Sequence, residues 1–104
     1  MDLFDSLNGF NEQLGKWLTE VNLPDTDLTK NRALQLRGQL EQAIETLLDS
    51  DLANDTAQLA KFAPDIEART KELLDLEGRI SEAQTVVNVV GTVIDLVGKL
   101  IASA

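Results

Sequence analysis

Between residues 3 and 22, the apolar positions Leu3, Leu7, Phe10, Leu14, Trp17 and Val21 recur at alternating steps of four and three. That period lays one narrow apolar seam along an α-helix. Asp2 and Asp5 stand near its start, where the helix dipole favours negative charge. Gly9 and Gly15 oppose the pattern, each by about 1 kcal/mol relative to Ala. The stretch Asn-Leu-Pro-Asp-Thr-Asp at 22–27 then ends it. Pro24 pushes the residue before it into extended backbone, and Asp25, Thr26 and Asp27 all suit a helix N-cap. A second helix is predicted over 27–49, with its stripe at Thr29, Ala33, Leu36, Leu40, Ala43, Ile44 and Leu47. The short link makes the two helices an antiparallel αα-hairpin.

A second turn signal, Asp-Ser-Asp-Leu-Ala-Asn-Asp at 49–55, precedes the longest pattern in the chain. Leu59, Phe62, Ile66, Leu73, Leu76, Ile80, Ala83, Val87, Val90, Ile94, Val97 and Ile101 keep one alternation of threes and fours, with Arg69 or Thr70 filling the single gap. Pro64 suits a first helical position, and Asp65 and Glu67 behind it favour that reading. The expectation is a short helix at about 52–62 and a continuous one at about 64–102, the latter about 58 Å long at 1.5 Å per residue. A break at Gly78 is the alternative. The fold predicted is an all-α antiparallel helical bundle: an N-terminal αα-hairpin plus a long C-terminal helix, or a four-helix bundle if that helix breaks near Gly78. The whole of 1–104 is read as a single helical domain.

The last segment differs from the rest. From residue 86 onward a second seam, Val86, Val89, Val93, Leu96 and Leu100, runs beside the first, which continues as Val87, Val90, Ile94, Val97 and Ile101. Together they cover about half of the helix circumference at 100° per residue. Asn88, Thr92, Asp95 and Lys99 form the opposite, polar line, with Asp95 and Lys99 in the favourable i, i+4 order. Two adjacent seams imply two packing surfaces. The hairpin fills one, and it fills both if the helix lies in the groove between its two members; otherwise the second surface belongs to another copy or another protein. The interface residues expected are therefore Val86, Val89, Gly91, Val93, Leu96, Gly98 and Leu100, the two glycines serving as sites of close approach.

Charge narrows the choice of partner. The chain has 18 acidic and 9 basic residues, a formal net charge of -9. The excess is even, at -3 in each of 1–24, 25–54 and 55–104. With no basic patch, nucleic acid is not an expected partner. A membrane is disfavoured too: the apolar run falls short of the roughly 20 residues of a spanning helix, and it carries Asn88, Asp95 and Lys99. The N-terminal MDLFDSLNGF has acids where a leader needs a basic start, so no signal peptide is read and a cytoplasmic location is expected.

The residues exclude most chemistry. There is no His and no Cys, which removes imidazole- and thiol-based catalysis and thiolate metal sites. Asp49, Asp51 and Asp55 are the densest acidic cluster. Counted from Asp49, a calcium loop would need a ligand, a Gly and a Glu where Ala53, Asn54 and Ala60 stand. Glu41, Glu45, Glu72, Asp75 and Glu82 fall off the apolar stripes, where an inward-facing metal centre cannot use them. No enzyme activity, cofactor or metal is expected. In outline the chain resembles small secreted helical hairpins with a central W-x-G turn and the needle subunits of type III secretion. Trp17, however, is followed by Leu18 and Thr19 inside the first helix, and the 49–55 turn lacks Pro, so no residue role carries over.

The function expected is that of a non-enzymatic helical interaction module, coiled-coil-like in its packing, that forms a homo-oligomer or docks a protein partner through its C-terminal helix. The alternatives are an amphipathic membrane-associating or secreted assembling protein, and an acidic inhibitor or antitoxin-like binder of a basic protein.

Overall fold

A computed structural model of the chain describes residues 3–50, 56–76 and 79–102. Four principal helices, α1 (Leu3–Glu20), α2 (Leu28–Leu48), α4 (Ala63–Leu76) and α5 (Ala83–Ala102), build an antiparallel helical bundle, with a short α3 (Thr56–Ala60) preceding α4. All six seam residues of the first helical pattern, Leu3 through Val21, are buried, and Ser6 and Leu18 join them. Phe10 and Trp17 are the largest side chains in this part of the core.

Asp27 caps α2: its carboxylate accepts from the Lys30 backbone N–H at 2.8 Å. Lys30 Nζ in turn donates to the Leu23 carbonyl and to Asp25 Oδ1, each at 3.1 Å. The link is thus pinned by the acids that mark it in the sequence. Ala33, Leu36, Leu40, Ile44 and Leu47 form the buried stripe of α2. The hairpin is antiparallel: Arg37 packs on Gly15, while Glu41, one turn later in α2, meets Asn11, one turn earlier in α1. Arg37 Nε donates to Asn11 Oδ1 at 3.0 Å, and Asn11 Nδ2 donates to Glu41 Oε1 at 3.4 Å.

The long continuous helix expected over 64–102 is not formed. Helix α4 ends at Leu76, a 3-10 turn occupies Ile80–Glu82, and α5 starts at Ala83. Gly78 itself lies outside the described residues. The physical reason is burial. A straight helix of about 58 Å would overrun a hairpin of half its length and leave much of its apolar arc in water. The turn instead lets α4 cover α1 and α5 cover α2. These are the two broadest helix contacts, with narrower ones joining α1 to α2 and α4 to α5. Pro64 sits in the first turn of α4, where its missing N–H costs nothing. Near the starts of α1 and α4, Ser6 Oγ donates to Glu67 Oε1 at 3.4 Å.

Candidate interaction surface

The packing of α5 follows from the width of its apolar arc. A helix with apolar residues over half its circumference buries the middle of that arc most deeply. Val86, Val90, Val93 and Val97, one stripe at steps of four, three and four, are all fully buried. Val89 and Leu100 are buried on one flank of that stripe, with Leu96 half-buried farther out. On the other flank, Val87, Ile94 and Ile101 are half-buried. Each full burial removes an apolar side chain from water, at about 1.5–3 kcal/mol.

The seven residues expected at an interface therefore divide. Val86, Val89, Val93 and Leu100 lie in the chain's own core and offer no free surface in the folded bundle. Leu96 and Gly91 are half-buried and Gly98 is exposed. The surface that α5 presents is its other flank: Val87, Ile94 and Ile101, spaced by sevens, with Gly91 and Gly98 alongside. A Cβ added at either glycine would meet nothing within 4 Å. No element among the described residues thus uses their small size.

Around this flank the polar line points outward. Asn88, Thr92, Asp95 and Lys99 are all exposed. Thr92 Oγ1 donates to the Asn88 carbonyl at 3.0 Å, and Gln84 Nε2 to Asn88 Oδ1 at 3.2 Å. The ion pairs among the described residues are Lys30–Asp25, Arg37–Glu41 and Arg69–Glu72. The Asp95–Lys99 pair that the spacing favours is not one of them. Both side chains are solvated, and an exposed i, i+4 pair is worth only about 0.3–0.5 kcal/mol. By length and composition α5, with 20 residues and an 18-residue window of mean hydropathy 1.7, is long and apolar enough to cross a membrane, as the core helix of a soluble protein also can be.

The remaining features offer less. Leu28, Leu34 and Leu48 on α2 and Leu74 on α4 are exposed, but those on α2 stand at least six residues apart. A shallow groove between α1 and α2 is lined by Glu12, Gly15, Lys16, Thr19, Glu20 and Arg37, which mix both signs of charge. Among the described residues no group of three His, Cys, Asp or Glu side chains is placed to hold a metal ion. Asp51 and Asp55 of the acidic turn lie outside the described residues, and Asp49 is exposed. Comparison with protein-family models, with curated proteins and with solved structures finds no significant match.

Proposed function

We propose that the protein is a non-enzymatic interaction module that self-associates, or docks a helical protein partner, through α5. The observation that carries this reading is the mismatch between the apolar arc of α5 and what the bundle covers: Val87, Ile94 and Ile101 remain half-exposed on one edge. Gly91 and Gly98 on the same edge support it, since each weakens a helix interior by about 1 kcal/mol and neither is needed for packing among the described residues. An edge of this kind suits a second helix at close range, with the apolar side chains fitting around the glycines. The cytoplasm is the setting we infer for it. Light scattering on a size-exclusion column across a dilution series tests the reading. An assembly that dissociates on dilution, and that Ile94→Asp abolishes without loss of helicity, is the expected result. A wild-type protein that stays monomeric and captures no partner overturns it.

A second reading is favoured by the composition of α5, which passes the length and hydropathy requirement of a spanning helix. In this reading α5 leaves the bundle and enters a bilayer. The formal net charge of -9 opposes approach to anionic lipid. Co-sedimentation with neutral and anionic vesicles separates the two readings, because the protein-docking module binds neither.

A further inference from the structure

We draw no further inference here: the strongest candidate, the half-buried apolar edge of α5 at Val87, Ile94 and Ile101 beside Gly91 and Gly98, belongs to the surface already described, and nothing in the structure shows what covers it.

Discussion

The guanidinium of Arg37 in α2 rests on Gly15 of α1: a Cβ at Gly15 would stand 2.8 Å from Nη2. From that position Arg37 also donates to Asn11 and lies 3.7 Å from Glu41. Gly15 is therefore a packing glycine, whereas Gly38, with open space around its Cα, is not. Gly38→Ala should stabilise the protein by about 1 kcal/mol through helix propensity alone. Gly15→Ala should gain clearly less, because the guanidinium must shift and its bond to Asn11 weakens. Chemical denaturation of both variants checks this. Equal gains would mean that the Arg37 contact constrains nothing.

Neighbouring residues on α5 should respond in opposite ways. Val93 is fully buried, so Val93→Asp places an unpaired charge in the core at about 4 kcal/mol or more. That is a large fraction of the roughly 5–15 kcal/mol that holds a small domain folded. Circular dichroism should show global loss of helix. Ile94 is half-buried at the edge, and Ile94→Asp should keep most helicity while changing association. If Val93→Asp stays folded, the midline of the arc has been drawn in the wrong place.

Much of this architecture is legible in the sequence because helix position follows from periodicity and turn chemistry. The seam of α1, the Asp27 cap and the stripe of α2 are all local signals. Two things were not legible. The break between α4, ending at Leu76, and α5, starting at Ala83, runs against the local register, and it forms because the closed bundle buries apolar area that no local pattern reports. The orientation of α5 was not legible either. Its wide apolar arc reads as two seams on either side of the arc's midline, which the hairpin alone, a second copy or another protein could cover. A single core takes the midline itself, Val86, Val90, Val93 and Val97, and leaves the flanks half-covered. The periodicity contained that stripe; only the packing of α2 against α5 selects it.

Trp17 is buried, at 1% exposure, yet its indole Nε1 has no hydrogen-bond partner. A buried unpaired donor costs about 1–3 kcal/mol, similar to the cost of removing part of a large core side chain. Trp17→Phe removes both the donor and some volume, so its net effect should fall within about 1 kcal/mol of zero. Leu14→Ala, one turn away and also fully buried, offers no such compensation and should cost about 2–5 kcal/mol. Denaturant midpoints of the two variants decide. A Trp17→Phe cost matching that of Leu14→Ala would mean that the indole N–H is satisfied in solution.

Gly91 and Gly98 allow a test in which stability and association move in opposite directions. Within the chain a Cβ at either position meets open space, so each Ala substitution should add about 1 kcal/mol of helix propensity. If the edge they share with Val87, Ile94 and Ile101 is where a second helix approaches, the added methyl groups push that helix away. The double variant should then melt at a higher temperature as an isolated chain and associate more weakly. A purely structural origin for these glycines predicts the first effect without the second. Thermal melts at low concentration and light scattering at high concentration, made on the same samples, separate the two. Unchanged association in the stabilised variant would remove the glycine edge as a docking surface.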